Sequence, residues 1–184
     1  MAFQFEQLSI PGVVLITPDM FQDHRGIFEE LYKQSDFEKQ GIPGFVQANH
    51  SQSGKNVLRG LHYQLPPYAQ GKLVQVISGE IFDVAVDIRK GSPFYGQWAG
   101  EILSSENRRM IYIPEGFAHG FSVISETADI IYYCTAEYSA GSERGIVYND
   151  ADIAIKWPTS CPVLSEKDKR LPELKNAENE FEYR

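Results

Sequence analysis

The sequence predicts an all-β protein, either a closed barrel or a sandwich of two sheets. Short runs of strand-forming residues recur between turn signals from about residue 12 to residue 157, as is typical of such folds. Within IFDVAVDI (81–88), residues 82–88 alternate strictly between two faces, which is the period of a strand. The chain also carries 10 Tyr and 11 Phe, residue types that favour strands and the walls of ligand cavities.

The individual elements follow from these runs and from the turn residues between them. One short helix is predicted at 36–40, where Gly41 and Pro43 end it. In chain order, strands are predicted at 12–16, 28–32, 45–48, 57–64, 110–113, 120–124 and 130–135.

Residues 73–88 are predicted to form a hairpin of two strands. Ser78 and Gly79 supply its turn, because glycine accepts a positive φ without penalty. The final segment, 165–184, is charged and tolerates helix, so it is expected to pack as a tail on the barrel.

Composition limits the possible functions. Hydrophobic residues make up 42% and charged residues 23% of the chain, and no repeat or linker divides it, so residues 1–184 are expected to form one globular domain. The formal net charge of -8 speaks against binding to nucleic acid. No apolar run could span a membrane, and no signal peptide is visible. A cytoplasmic location with Cys134 and Cys161 reduced is expected, although a disulfide between them stays open.

Two histidines lie in sequence contexts that could carry chemistry. His62 lies on a predicted strand, where a lone histidine is more often structural, and His119 follows a Pro-Gly turn. A metal site is one alternative, since cupin-type barrels bind metals through an HxH pair, a Glu and a later histidine after a PxGxxH turn. The later element is present, but Tyr63 and Gln64 follow His62 in place of a second histidine. The sequence therefore favours no metal.

Three other residues have both a structural and a functional interpretation. Tyr132 shares a strand face with Ile130 and Cys134 and could belong to the core. Lys72 opens an apolar strand and could extend to a barrel rim. Asp168 lies in LSEKDKR, where charges are ordinarily solvated. Taken singly, each residue favours the structural interpretation.

Together, these segments resemble the dTDP-4-dehydrorhamnose 3,5-epimerases, a family with the cupin fold. The resemblance covers about residues 10–170 and is carried in order by DHRGIFEE, FVQANHSQSGKNVLRGLHYQ, AQGKLVQVISGEIFDVAVDIRKGSPFYGQW, IPEGFAHGF, YYCTAEYSAGSERGI and LSEKD. It implies a cupin-type jelly-roll barrel with short helices. It also implies inversion of carbons 3 and 5 of dTDP-4-dehydro-6-deoxy-D-glucose, without a cofactor, to give dTDP-4-dehydro-L-rhamnose.

The resemblance implies a role for each of four catalytic candidates. The ketone at carbon 4 acidifies the protons at carbons 3 and 5, and His62 would remove them as a base. Asp168 would hold the other nitrogen of His62, as in a catalytic triad. Tyr132 would return a proton from the opposite face, and Lys72 would stabilise the enolate by its charge.

The resemblance also implies contacts with the substrate and a partner. The matching positions are Arg25, Glu30, Gln47, Asn49, Arg59, His119, Glu143 and Lys167, of which the basic ones suit a diphosphate. Arg25 and Glu30 match a strand that is exchanged with a second subunit, so a homodimer is expected.

Two features depart from a simple match. Arg59 and His62 are three residues apart, so a regular strand would point them to opposite faces, and a bulge near Gly60 is expected if both contact one ligand. Ala48 stands where the family usually has Asp, which puts one nucleotide contact in doubt. A single-centre epimerase, a keto-sugar isomerase and a non-catalytic sugar-nucleotide-binding barrel remain as alternatives.

Overall fold

The computed structural model describes residues 3–183, and it consists mainly of antiparallel strands. One short helix, α1 (Gln34–Glu38), interrupts the strand order. The strands are β1 (Phe3–Gln7), β2 (Val14–Pro18), β3 (Met20–Asp23), β4 (Gly26–Glu29), β5 (Gln47–Gly54), β6 (Leu58–Gln64), β7 (Lys72–Ser78), β8 (Glu80–Asp87), β9 (Trp98–Ser104), β10 (Met110–Ile113), β11 (Phe117–Val123), β12 (Thr127–Cys134) and β13 (Glu143–Gly145).

Eleven of these strands form two sheets that face each other. The six-stranded sheet has the order β1-β2-β10-β7-β12-β5, and the five-stranded sheet has the order β13-β6-β11-β8-β9. One buried cluster takes Val74, Ile111 and Ile130 from the first sheet and Ala85 and Phe121 from the second. Because the inward faces of both sheets form one core, the predicted all-β architecture is confirmed.

The predicted hairpin at 73–88 is wrong, although both of its strands exist. β7 pairs with β10 and β12 in the six-stranded sheet, whereas β8 pairs with β11 and β9 in the five-stranded sheet. Gly79, with φ +84°, carries the chain from one sheet to the other, and a Cβ there would lie 2.1 Å from the carbonyl oxygen of Thr127. The turn signal predicts a change of direction, but it does not specify which strands become neighbours.

Strand β6 contains a bulge that reconciles the positions of Arg59 and His62. On β11, His119 pairs with His62 and Phe121 pairs with Arg59, so three steps along β6 match two steps along β11. Gly60 lies inside this irregularity with φ +121°. The expected bulge is therefore confirmed, and it lets Arg59 and His62 line the same cavity.

Other elements differ from the prediction mainly at their ends. The helix begins at Gln34 rather than at 36, and the strand predicted at 45–48 is the longer β5, whose alternating polar residues hide its true length. The strand predicted at 28–32 is shifted to β4. The sequence does not predict β1, β3, β9 and β13, which are short or irregularly patterned.

The C-terminal segment packs on the five-stranded sheet, as predicted. It contains two 3-10 helices, Asp168–Arg170 and Leu174–Asn176, and Leu174 is buried in a cluster with residues of β6 and β8. The Tyr63 hydroxyl donates to the carbonyl oxygen of Glu178 at 2.5 Å. This packing fixes the segment that carries Asp168.

Strands β3 and β4 form a hairpin outside both sheets. Its large apolar side chains are exposed to solvent, with Phe21 exposed by 61% and Phe28 by 66%. Met20 and Ile27 are exposed as well. An apolar patch of this kind marks a surface for interaction with another molecule.

Two further expectations concern the thiols and the membrane. Cys134 is buried, Cys161 is exposed, and both are free, as expected. In the part of the chain from 3 to 183, no helix combines the length and the apolar character that crossing a membrane requires.

Candidate active site

The space between the two sheets contains a cavity of two adjoining chambers. The first has a volume of about 320 Å³ and the second of about 270 Å³. His62, Lys72 and Tyr132 line both chambers, so they lie where the chambers meet, and Asp168 lines the first. The structure thus brings together the four residues for which the resemblance implies chemistry. A concave site with a few convergent polar groups is typical of ligand binding.

His62 and Asp168 form a hydrogen-bonded pair. His62 Nε2 lies 2.6 Å from Asp168 Oδ1, and Ser165 Oγ donates to Asp168 Oδ2 at 2.8 Å. Burial raises the pKa of the Asp168 carboxyl, but the hydrogen bond and charge of His62 outweigh it, so the pKa lies below its usual value. An ionised carboxylate only accepts hydrogen bonds, so Nε2 carries the hydrogen and Nδ1 remains as the basic nitrogen.

Tyr132 approaches the cavity from the other sheet. It lies on β12, where it pairs with Val74 of β7 and Asn49 of β5, whereas His62 lies on β6 of the five-stranded sheet. Burial, and next the neighbouring Cys134, raise the pKa of the Tyr132 phenol above its usual value, so the hydroxyl keeps its proton at neutral pH. An imidazole and a protonated phenol therefore line one cavity from opposite walls.

Two cations of the cavity lack an acidic partner. Neither Lys72 nor Arg59 forms an ion pair with any residue from 3 to 183, and Arg59 Nε donates to Ser53 Oγ at 3.1 Å. Burial lowers the pKa of Lys72, although nearby acidic groups oppose this shift. Unpaired positive charge, in a chain whose formal net charge is -8, indicates a site for an anionic ligand.

A second histidine–carboxylate pair lies beside the first. His119 on β11 is the cross-strand partner of His62 and lines the first chamber. Its Nε2 lies 2.8 Å from Oδ2 of Asp83, a fully buried residue of β8. No group of three or more His, Cys, Asp or Glu side chains within the described range 3–183 could hold a metal ion.

Glu143 of the second chamber contacts Tyr138 of the same chamber and Lys167 of the first. Its carboxylate lies 2.5 Å from Lys167 Nζ and accepts a hydrogen bond from the Tyr138 hydroxyl at 2.7 Å. Burial raises the pKa of Glu143, but these two partners outweigh it, and the pKa lies below its usual value. Gln47 and Asn49 line the same chamber and are joined by a hydrogen bond of 3.0 Å.

Arg25 and Glu30 do not line the cavity of their own chain. Arg25 lies at the turn of the β3–β4 hairpin, where its side chain is 79% exposed and forms an ion pair of 2.6 Å with Asp23. Glu30 directly follows β4. The structure therefore does not bring these two expected binding residues to the cavity of the same chain.

Ala48 lies on the face of β5 that is turned away from the cavity. It pairs with Tyr133 of β12, whereas Gln47 and Asn49 on either side of it line the second chamber. The replacement of Asp by Ala at this position therefore removes no contact from the cavity of the same chain.

Three residues of the site are not among the candidates from the sequence. The sequence could have indicated Asp83, because it is an acidic residue in the otherwise apolar interior of a strand. A carboxylate that is buried there requires a hydrogen-bond partner. Ser165 precedes Asp168 by three residues, a spacing at which a serine can hydrogen-bond a nearby side chain and backbone. Tyr138 lies on an irregular segment, where the sequence carries no signal of its contact with Glu143.

The fold is an antiparallel β-barrel, and its cavity brings together a histidine–carboxylate pair and a tyrosine, an arrangement typical of enzymes that transfer protons. The model of the dTDP-4-dehydrorhamnose 3,5-epimerase family matches residues 7–176. The chain therefore belongs to that family, and the resemblance and the cupin-type jelly roll expected from the sequence are confirmed.

Individual relatives agree with this assignment. The chain is 55% identical to the dTDP-4-dehydrorhamnose 3,5-epimerase of Shigella flexneri over 161 residues, which are 86% of this chain and 89% of the relative. It superposes with a TM-score of 0.92 on the epimerase RmlC of Legionella pneumophila in complex with dTDP-4-keto-L-rhamnose, with 48% identity and coverage of 95% and 94%. The 3'-monoepimerase ChmJ of Streptomyces bikiniensis, in complex with dTDP-quinovose, is more distant, with 31% identity, a TM-score of 0.87 and coverage of 92% and 87%.

Proposed function

We propose that this protein inverts carbons 3 and 5 of dTDP-4-dehydro-6-deoxy-D-glucose and so produces dTDP-4-dehydro-L-rhamnose. The observation that carries the proposal is the placement of His62 and Tyr132 on facing sheets of one cavity, in a chain of this epimerase family. The relatives named 3,5-epimerases support the choice of reaction.

The reaction begins with removal of a proton next to the ketone. His62 Nδ1 takes the proton from carbon 3 or carbon 5, and the electron pair left on carbon delocalises onto the ketone oxygen as an enolate. Asp168 stabilises the imidazolium that forms, because its carboxylate accepts the hydrogen bond from Nε2–H. No electrons leave the substrate, so the scheme requires no redox cofactor.

The reaction ends when the enolate carbon receives a proton from the opposite side. Tyr132 donates that proton, which inverts the carbon, and solvent reprotonates the phenolate while His62 returns its proton to solvent. The ammonium of Lys72 lies free in the same cavity and stabilises the negative enolate oxygen. Each inversion therefore leaves the enzyme in its starting protonation state.

The anionic part of the substrate is assigned to the basic residues of the cavity. Arg59 is unpaired by acidic groups and offers a planar fork to the diphosphate, and Lys167 can exchange its contact with Glu143 for a phosphate oxygen. Gln47, Asn49 and His119 offer polar groups to the sugar and the nucleoside.

A hydrogen-exchange experiment tests this function. The protein is incubated with dTDP-4-keto-6-deoxyglucose in deuterated water, and label at each carbon is followed by NMR. We expect deuterium at both carbons 3 and 5 and formation of the L-rhamno product. Label at one carbon would instead indicate the single-centre reaction of a monoepimerase, and no label would leave a binding function.

Two variants make the experiment specific to the proposed base. His62→Ala should abolish exchange at both carbons, and because it also removes the partner of the Asp168 carboxylate, the unfolding temperature of the variant is measured to show that it is folded in the assay. His50→Ala serves as the matched control, because His50 is 61% exposed and lies on β5 at a position of the opposite parity to Asn49. Equal loss in both variants would contradict the role of His62.

We also propose that the protein works as a homodimer in which each subunit completes the site of the other. The β3–β4 hairpin exposes its apolar side chains, and β5, which lines the cavity, pairs on one side only in residues 3–183. A free strand edge can accept a strand from a second chain. Docking of the hairpin there would place Arg25 and Glu30 beside Gln47 and Asn49 of the second copy.

A further inference from the structure

Asp83 is a buried acid to which the proton-transfer scheme assigns no role. It is fully buried on β8, and Ile81 and Ala85 on the same face belong to the hydrophobic core. A buried carboxylate destabilises a fold unless both oxygens find donors. One oxygen of Asp83 is bound by His119, whereas Oδ1 has no hydrogen-bond donor in the described part of the chain. A buried carboxylate oxygen without a donor lowers the stability of the fold, and its presence in a native protein indicates a functional role.

The contact between Asp83 and His119 determines what the imidazole can offer to a ligand. A carboxylate at Asp83 accepts the hydrogen bond of the 2.8 Å contact, and this arrangement places a hydrogen on His119 Nε2. In the neutral ring, Nδ1 then carries the lone pair. His119 lines the first chamber and is the cross-strand neighbour of His62, so this lone pair lies close to the proposed base.

The neighbouring groups indicate which ligand atom fits. Lys72 and Arg59 also line this chamber, and both can only donate hydrogen bonds. They suit the phosphate and ketone oxygens, but they cannot accept the hydrogen of a sugar hydroxyl. His119 Nδ1 can accept it.

We infer that Asp83 is a positioning residue, which holds His119 as the acceptor for a hydroxyl group on the sugar ring. The inference rests on the proposed function, since it takes a keto-sugar as the ligand. The site selects a sugar that keeps this hydroxyl and discriminates against one from which it is missing. Asp83 acts through His119 and does not contact the substrate.

The tautomer of His119 can be measured without any substrate. Nitrogen-15 NMR at mildly alkaline pH should show a pyrrole-type Nε2 and a pyridine-type Nδ1 for His119, assigned by the loss of these signals in His119→Gln. In Asp83→Asn, the side-chain amide has only one oxygen that can accept a hydrogen bond. The His119 ring should therefore become a mixture of its two tautomers. A pyridine-type Nε2 in the unmodified protein would overturn the inference, whether or not the protein proves to be an epimerase.

The kinetic test compares Asp83→Asn with the unmodified protein on three substrates. On the full keto-sugar, exchange at carbon 5 should fall by roughly ten- to a hundredfold, the scale of one hydrogen bond to a charged group. The 2-deoxy and 3-deoxy analogues are measured next. One analogue lacks the hydroxyl that His119 binds. On this analogue, the exchange rate of Asp83→Asn should lie less than about threefold below that of the unmodified protein, because the substitution acts through the contact between His119 and that hydroxyl.

Controls separate this role from a loss of stability. Ser122→Ala removes another fully buried and unpaired polar group, on the same strand as His119 but on its opposite face, and should leave exchange unchanged. In a His119→Gln background, Asp83→Asn should cost little further activity. An equal penalty on all three substrates, or full additivity with His119→Gln, would show that Asp83 only supports the fold. Failure of the unmodified protein on every substrate would instead contradict the proposed epimerase function.

Discussion

Acidic side chains divide the basic residues of the cavity into two groups. Asp168 and Glu143 each hold a basic residue, His62 and Lys167, at 2.5–2.6 Å. Lys72 lines the same space and forms no ion pair with an acidic residue between 3 and 183. The proposed roles follow this division, with the paired residues in proton transfer and binding and the unpaired charge at an anionic ligand. This local arrangement explains how a chain with a net charge of -8 can bind a diphosphate.

Replacement of the proposed proton donor should separate exchange from inversion. In Tyr132→Phe, we expect inversion to fall by roughly 10²–10⁴-fold, the usual contribution of a general acid, while deuterium exchange from the His62 side falls much less. Product configuration and label are both read by NMR. Tyr133→Phe is the control, because Tyr133 lies on the outer face and stacks on Tyr32. A parallel loss of exchange and inversion would argue against this division of roles.

Replacement of the carboxylate behind the base should lower the rate more than the affinity. In Asp168→Asn, we expect kcat to fall by roughly 10²–10⁴-fold with a small change in KM, because the amide favours the wrong tautomer of His62. Glu166→Gln, two residues earlier and exposed, should retain full activity. Full activity of Asp168→Asn would show that the pair has no catalytic role.

The same pair makes stability depend on pH in a defined direction. The pKa of Asp168 in the folded protein lies below 3.8, its ordinary value, so the carboxylate stabilises the fold above about pH 4 and this contribution is lost as the pH falls further. The free energy of unfolding of Asp168→Asn should therefore lie below that of the unmodified protein at neutral pH. The difference should close on acidification below pH 4, and a widening difference would contradict the assignment.

Among the elements, β6 places more of the site than any other strand described above. Its bulge aligns Arg59 and His62 on one side, although they are three residues apart. The crossing with β11 is close, since a Cβ on Gly60 would lie 2.5 Å from Gly120 Cα and 2.7 Å from the carbonyl oxygen of His119. The position of both side chains thus depends on a residue that has no side chain.

Gly60→Ala should damage both stability and activity. The added methyl group meets backbone atoms and the positive φ disfavours alanine, so we expect a loss of roughly 2–4 kcal/mol in the free energy of unfolding. Denaturant unfolding and the exchange assay measure the two effects. Gly141→Ala, where a Cβ meets no atom within 4 Å, should change stability by less than about 0.5 kcal/mol. An unchanged stability of Gly60→Ala would show that the bulge can relax.

The molecule as a whole leaves one part of its apolar surface uncovered. The β3–β4 hairpin buries little against its own chain, and the rings of Phe21 and Phe28 contact chiefly each other, with centroids 6.5 Å apart. Arg25 and Glu30 are the two expected substrate-binding residues that do not line the cavity. They lie on this hairpin and next to it. The homodimer proposed above would account both for the exposed hairpin and for the position of these two residues.

Disruption of the hairpin surface should separate the subunits and weaken substrate binding. We expect the double variant Phe21→Ser and Phe28→Ser to shift the protein from dimer to monomer in analytical ultracentrifugation, because it removes apolar area from the interface. KM should rise more than kcat falls, since Arg25 is lost from the site. Val163→Ser, another exposed apolar residue outside the hairpin, is the control. A monomeric unmodified protein with full activity would refute the shared site.

The sequence by itself determined most of the strands, the family and the residue types of the chemistry. Alternation within 81–88 and the RGLHYQ segment are local patterns, and the period of a strand or a family motif is visible in them without knowledge of the fold. Such patterns cannot specify pairing, since a turn does not reveal which sheet the next strand joins. The chain therefore turns at Gly79 into a second sheet where a hairpin is predicted.

Only the tertiary structure decided how these residues meet. The contact between His62 and Asp168 spans 106 positions of the chain, and it exists because the C-terminal segment packs back on the five-stranded sheet. The pairing of Asp83 with His119 likewise depends on the neighbourhood of β8 and β11. Long-range contacts of this kind follow from the order of strands and from burial, and a local pattern contains neither.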